Sequence, residues 1–518
     1  MSFKGKFRKI IYKRYDLIVG VFLFLSYRIF FTYLLWHGRF VPPEPDDSYY
    51  YLASARHIFD ISTFEKFRLL PFSLWLSFLS TLFHSNLELA YKINFYIGPV
   101  VMFTAAYYFV SKLESNRVIR LLLLAVLALY SGSGDYHGFF WVVESFYQFA
   151  LFLVIFAFMI NKNHVKLYII FPVCLFFIFI HPTSAFLSVI FALYPITLSL
   201  FSKKDAVKSF YNIISIFICL GISFFLYLAI GKLFPIGNSP QSLHTQFSLI
   251  KDFFLGKLNP ISLPVIWREY FSIFFNNTIT TVAYFAMLIF VIYLKKYKLI
   301  AIYLSILIIV LLSTYIPYGA RTLGLLWPVT FFIIAYFLVG IWKALQSIES
   351  KIKLGYLTII PLACLFTFVT IFNVISVSTM NTTKNYSWDR TCPLRLQDKN
   401  IYFTSQESLN AFLLYGGKEK NLHFLSITEA GDFLKEDNML VETKNEKLQP
   451  RTLSRVEKFL ASRLTRRNTS ISIKYPVNAW TEAPIESTVL LKDLSLNNMQ
   501  ISKYLDCGHF QVSIVSKL

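Results

Sequence analysis

The chain has 518 residues, of which 56% are hydrophobic and only 15% charged, and its mean hydropathy is +0.54. A soluble protein of this length cannot hide so much apolar surface, so the composition reads as a polytopic membrane protein. The formal net charge of +21 does not point to nucleic acid. The basic residues sit in short clusters between apolar segments, the pattern of cytoplasmic loops, and anionic lipid headgroups are their expected partners.

The N-terminal stretch MSFKGKFRKIIYKRYD carries Lys4, Lys6, Arg8, Lys9, Lys13 and Arg14, which places it in the cytoplasm. A first span follows over 15–36. It is too long and aromatic for a cleaved signal peptide, and no small-residue cleavage site follows it. The stretch VPPEPDDSYYYLASARHIF, 41–59, therefore emerges on the far side, at the head of a first outer loop over 37–86. Within that loop, RLLPFSLWLSFLSTLF, 68–83, is apolar but short after its proline, and reads as a helix lying at the interface. Further spans are expected at 87–111, 118–131, 144–160, 167–180, 184–201, 210–230, 276–294, 299–316, 323–341 and 355–377.

Charge supports this parity. Every second link is basic, with Lys112, Arg117 and Arg120; Lys162 and Lys166; Lys203, Lys204 and Lys208; Lys295, Lys296 and Lys298; and Lys343, Lys351 and Lys353. The alternate links hold GSGDYHGFFWVVE, HPTS, a long stretch near 231–275, and YIPYGAR. About eleven spans fit, with the N-terminus inside and the C-terminus outside. Counting 68–83 as a span would break the agreement.

From Ser378 the chain turns polar, with strand-like IYFTS, SISIKY and FQVSIVS and a helix-like SRVEKFLASRL. The expected fold is thus a membrane all-α bundle over 1–377 with a small α/β domain, 378–518, outside the membrane. Arg451, Arg455, Lys458, Arg463, Arg466 and Arg467 bracket the helix-like piece, either as a solvated face or as a contact for anionic glycolipid. Cys174, Cys219 and Cys364 fall in spans as packing residues. Cys392 and Cys507 share the outer domain, where an oxidising compartment would let them pair.

Asp46 and Asp47 are the candidate catalytic residues. A carboxylate at a lipid–water boundary is partly desolvated and gains basicity, so it can take a proton from a hydroxyl. The reaction that suits such a base is sugar transfer from a lipid phosphate to an acceptor hydroxyl. Adjacent carboxylates diverge in direction, so one can act as base while the other orients it or holds a metal ion. The structural alternative is that Asp46, Asp47 or Ser48 caps a helix, a role compatible with the first. Tyr49, Tyr50 and Tyr51 read as interfacial aromatics or as sugar and lipid contacts.

A leaving phosphate needs positive charge. Arg321 in YGARTLG is the first candidate, because its guanidinium suits a phosphate. Arg56, His57, His181 and Arg268 are others, with solvent-facing or helix-end roles as their alternatives. Arg28 lies inside the first span, roughly 12 Å of helix rise below Trp36. An ionisable residue there faces a partner or a wet cavity. Asp135 and His137, in the loop that runs to Glu144, could join Asp46 or Asp47 around a divalent ion or simply make the loop polar. No GxGxxG, P-loop, HExxH or CxxC pattern occurs, so nucleotide-driven and zinc-peptidase chemistry have no sequence support.

These residues resemble those of the GT-C superfamily, the integral-membrane glycosyltransferases that use polyprenyl-phosphate sugars. The resemblance rests on the layout over residues 1–377, on Asp46-Asp47 followed by aromatics and LASARHI, and on HPTS, which looks like a short proline motif of these enzymes. It implies inverting transfer with Asp46 as general base and Asp47 in support, and a donor phosphate held by basic residues of later outer loops. It leaves both metal dependence and metal independence open. The layout with an outer C-terminal domain looks like that of bacterial inner-membrane enzymes that decorate O-antigen, capsule or lipid A, with a periplasmic active face, whereas the domain itself resembles no family. Two other classes compete. An O-antigen polymerase or ligase would rely on outer-loop arginines and tolerate loss of Asp46. A transporter of lipid-linked sugars would place its ionisable residues at the midplane, in related halves.

Overall fold

The computed structural model describes residues 45–56, 70–84, 86–115, 119–120, 123–124, 144–161, 166–180, 184–233, 278–312, 332–341, 391–396, 401–403, 422–424, 438–443, 499–507 and 510–517, with single positions at 367 and within 17–29, 326–330 and 409–415. The chain divides into two compact units. One comprises Met1–Leu35, Glu65–Phe72 and Lys92–Thr379; the other comprises Trp36–Phe64, Ser73–Tyr91 and Met380–Leu518.

Nine helices of twelve residues or more are described in full. They are α1 (Pro45–Arg56), α2 (Leu70–Leu82), α3 (Leu87–Leu113), α4 (Glu144–Ile160), α5 (Leu167–Ile180), α6 (Ser184–Ser199), α7 (Lys203–Leu233), α8 (Thr278–Tyr293) and α9 (Tyr297–Leu312). A further apolar helix runs over Phe332–Ile341. Two of these, over Leu87–Leu113 and Lys203–Tyr227, are long and apolar enough to cross a membrane. At 27 residues, α3 is about 40 Å long against a hydrocarbon core of about 30 Å.

In the first unit α5 packs on α7, α6 on α7 and α9, and α4 on α5. Aromatic rings lock the centre. Phe152, Phe156 and Phe191 lie with centroids 4.8–5.2 Å apart, and Tyr194 meets Phe156 edge-on at 5.7 Å. All four are buried, which suits the offset and edge-to-face contacts that aromatic quadrupoles favour. The outer faces are apolar as well. On α7, Phe210, Phe217, Ile218 and Phe225 are exposed while Ile213, Ile216 and Leu220 are buried. Water would penalise such a surface and hydrocarbon would not.

The hydroxyls of these helices obey the same constraint. Thr104 donates to the carbonyl of Val100, Ser188 to Ser184, Ser223 to Cys219, Ser305 to Ala301 and Thr330 to Leu326. Each hydroxyl is satisfied one turn back on its own helix, without water. Pro99, Pro172 and Pro195 sit inside helices, which neighbouring helices make tolerable in an apolar medium.

Helix ends are set by side chains. Asn86 Oδ1 accepts from the amide of Leu89 at 2.9 Å and so caps α3. Ser202 caps α7, accepting from the amide of Asp205 and donating to its Oδ2 at 3.1 Å. That cap starts α7 at Lys203 rather than at the expected 210, so Lys203, Lys204 and Lys208 are helical residues, not link residues. Long lysine stems can run along a helix surface and carry their charge back toward water. Of the span expected at 118–131 only Ile119, Arg120, Leu123 and Leu124 are described, all helical; of the one at 355–377, only Thr367 is.

The second unit holds α1 and a five-stranded sheet. Its strands are β1 (Ile401–Phe403), β2 (Leu422–Phe424), β3 (Asn438–Thr443), β4 (Met499–Cys507) and β5 (Phe510–Lys517), in the order β2-β1-β3-β5-β4. β1 runs parallel to β2 and β3, and β5 pairs antiparallel with β3 and β4. The short helix Cys392–Arg395 completes a core of Cys392, Leu396, Ile401, Phe403, Phe412, Met439, Cys507 and Val512. Cys392 and Cys507 are disulfide-bonded and fully buried. IYFTS supplies β1 and FQVSIVS supplies β5, whereas SISIKY and SRVEKFLASRL lie outside the described residues.

Candidate functional site

The acidic pair belongs to α1. The helix begins at Pro45, whose fixed φ suits a first helical position. Asp46, Asp47 and Ser48 are therefore its second, third and fourth residues. This corrects the capping alternative, since a cap would stand before the helix. Successive positions are about 100° apart around the axis, so the two aspartates occupy different faces of the first turn. That turn is also where the helix dipole favours negative charge.

α1 is enclosed over residues 51–55. Tyr51, Leu52, Ala53, Ser54 and Ala55 are all buried. Five consecutive buried residues leave no face open before Arg56, which is exposed, and this is possible because three of the five are small. The first four residues of LASARHI, 52–55, thus read as a packing device beneath the acidic pair. The side chain of Tyr49 lies outside the described residues, whereas Tyr51 is a core residue.

Arg56 ends α1, and its Nη1 donates to the backbone carbonyl of Leu414. The next residue, Tyr415, donates its hydroxyl to Glu88 Oε1 at 2.6 Å. Glu88 stands in the first turn of α3, inside the same compact unit. Leu414 is itself buried, and Phe412 packs against Phe403 with ring centroids 5.1 Å apart. Sequence reading offered Arg56 to a phosphate. The structure gives it a carbonyl partner, and nothing in the spacing of residues 56 and 414 could have signalled that contact.

A second polar group lies in the first unit, where α3 to α6 meet. Tyr147 donates to Asn94 Oδ1 at 2.5 Å, and Gln148 Nε2 donates to Ser184 Oγ at 2.8 Å. Ser184 donates in turn to the carbonyl of Phe177. Asn94, Gln148 and Ser184 are buried. Ser184 is the last residue of HPTS, so this motif ties α4, α5 and α6 together. His181 lies outside the described residues, as do Arg321, His57, Arg28, Arg268, Asp135 and His137.

A third group was not expected from the sequence. Glu114 follows α3 and is only 4% exposed; its Oε2 accepts from Lys296 Nζ at 2.6 Å and from the Tyr336 hydroxyl at 2.7 Å. The Lys296 ammonium also lies 5.0 Å from the Tyr336 ring centroid. Glu114 and Lys296 stand in links that the sequence reads as cytoplasmic, opposite in parity to the acidic pair, and Tyr336 lies in the helix Phe332–Ile341.

Among the described residues, no group of three or more His, Cys, Asp or Glu side chains gathers to hold a metal ion. Asp47, Asp135 and His137, the residues offered for one, have no described side chains.

No protein-family model matches the chain, and no curated protein does. Solved structures do. Archaeal oligosaccharyltransferase AglB from Archaeoglobus fulgidus, in complex with an inhibitory peptide and a dolichol-phosphate, aligns at TM-score 0.45 and 13% identity, over 79% of this chain and 61% of that one. The chain thus spans about three fifths of its length. The A. fulgidus oligosaccharyltransferase tethered to an acceptor peptide aligns at 0.48 and 10%, over 84% and 70%. The same enzyme with Zn and sulfate aligns at 0.46 and 10%, over 83% and 68%.

Proposed function

We propose that this chain is an inverting membrane glycosyltransferase. It moves sugar from a polyprenyl-phosphate carrier to a hydroxyl of a surface glycan or glycolipid, such as O-antigen or lipid A. The observation that carries this reading is α1 itself. Two adjacent carboxylates occupy the first turn of a helix that is buried over residues 51–55, just past the first apolar segment. A base on so firmly held a helix keeps its geometry toward an acceptor hydroxyl.

Asp46 takes the proton of the acceptor hydroxyl as its oxygen attacks the anomeric carbon, and the carrier phosphate leaves. Asp47 supports that base. Arg321 neutralises the leaving phosphate, with His181, His57 and Arg28 as further polar candidates and Tyr49 as a sugar contact. Arg56 donates through Nη1 to the Leu414 carbonyl and keeps further guanidinium donors, so it stays among these candidates. A divalent ion, held by Asp47 with Asp135 and His137, would help the phosphate leave. The N-terminus is cytoplasmic and the active face periplasmic, at a bacterial inner membrane. A buried disulfide in the same unit as α1 supports that side, because disulfides persist in oxidising compartments.

The test is mass spectrometry of surface glycans and lipid A from cells lacking the gene, carrying the wild-type gene, or carrying Asp46→Asn. The expected result is a gain of one sugar mass that requires Asp46. A gain of many sugar units would mark transfer of a preassembled glycan. No gain, or a change in glycan chain length indifferent to Asp46, would reject the transferase in favour of a transporter or polymerase.

A further inference from the structure

The acidic-pair helix and the C-terminal domain are far apart in sequence, yet they belong to one compact unit. Two consecutive residues of the domain make the connection. The carbonyl of Leu414 accepts from Arg56 at the end of α1, and the hydroxyl of Tyr415 donates to Glu88 at the start of α3. The segment that carries them is anchored beneath. Phe412 is fully buried in the core that contains Phe403 and the Cys392–Cys507 disulfide. A rigid chain of contacts thus runs from the domain core to the C-terminal end of α1. Because a helix moves as a rod, a fixed C-terminal end also fixes the first turn, where Asp46 and Asp47 stand.

We propose that Leu414–Tyr415 is a latch by which the C-terminal domain sets the position of the acidic pair, with Arg56, Tyr415 and Glu88 as positioning residues. Tyr415 and Glu88 hold the turn, and the turn presents the Leu414 carbonyl to Arg56. The domain is then part of the catalytic geometry rather than an appended module. The proposal rests on the function proposed above for its effect on rate, but not for the latch itself.

Two readouts separate these. Backbone hydrogen exchange of α1 and transfer kinetics are measured on the full chain in lipid nanodiscs. Arg56→Met keeps the apolar stem but removes the donor, and Tyr415→Phe removes one hydroxyl. Each is expected to raise exchange in α1 roughly tenfold, with β4 and β5 unchanged, the scale of losing a hydrogen bond to a charged group. Turnover should fall by about the same factor. KM for the lipid-linked donor should stay within about twofold, whereas loss of a phosphate ligand would raise it.

Arg56→Lys and Glu88→Gln, which keep a donor and an acceptor, should restore both readouts. Unchanged α1 exchange in Arg56→Met and Tyr415→Phe would overturn the latch whatever the activity does. So would a rise spread evenly over α1, β4 and β5, which marks a structural defect. Raised α1 exchange in a chain whose wild type transfers no sugar would uphold the latch and sink the transferase.

Discussion

At the scale of single residues, the contact that sequence reading missed is the most informative. Glu114 follows Lys112 and precedes Arg117 and Arg120, so by pattern it is one acid in a basic link. Tertiary packing instead buries it and supplies Lys296 and Tyr336 as its partners. A buried carboxylate that loses its partner charge is costly. Lys296→Met should therefore destabilise the protein by about 3 kcal/mol. Glu114→Gln, which removes the charge and keeps an acceptor for Tyr336, should cost less. Thermal unfolding in one detergent would rank the two, and equal losses would mean that the pair contributes no more than its hydrogen bonds. Asp46 and Asp47 present the opposite case. The sequence singles them out because two acids beside an apolar segment are unusual, but their place inside the first turn needed the helix boundary.

Elements were read most accurately where length and apolarity agreed. α4 and α5 fall where the sequence put them, and α2 lies within the expected interfacial helix. Ends were harder. α7 begins early because Ser202 and Asp205 cap it, and a polar cap followed by lysines does not look like a span. The α8–α9 link is another local device. Lys295 has φ 56°, the amide of Lys296 donates to Val291 and that of Lys295 to Ile292, which together form a Schellman turn. A left-handed residue with a Cβ costs roughly 1–2 kcal/mol. Lys295→Gly should therefore raise the unfolding midpoint, by about 1 kcal/mol of stability. A lowered midpoint would show that the lysine side chain matters more than the turn. Gly340 serves close approach instead: a Cβ there would lie 2.0 Å from the ring of Phe290.

At the scale of the molecule, Trp36–Phe64 and Ser73–Tyr91 share a unit with Met380–Leu518, and the disulfide holds the core of the C-terminal domain. Cys392 and Cys507 are 115 residues apart in sequence, so their bond removes a large closure entropy from the unfolded chain. Cys507→Ser should cost about 2–5 kcal/mol. Limited proteolysis should then cleave the region after residue 380 faster, while α3 to α9 stay protected. Equal cleavage rates with and without the bond would show that the core of Phe403, Phe412 and Val512 suffices alone. The polar strands that close this sheet were the least legible part. β4 lies at an edge with Ser502, Lys503, Tyr504 and Asp506 exposed, so it lacks the apolar alternation that reveals a half-buried strand.

The sequence alone determined the apolar class of the chain, the run of helices from α3 to α9 and the polar C-terminal domain, and it singled out the acidic pair proposed as the chemical centre. These follow from composition and short-range periodicity, which the solvent reads locally. Only the tertiary structure decided that α1 is enclosed over residues 51–55, that Arg56 meets Leu414, that Tyr415 meets Glu88 and that Glu114 meets Lys296 and Tyr336. Each of those pairs joins residues more than a hundred positions apart. Such partners are chosen by what packing leaves within reach of a buried polar group, and no local pattern carries that information.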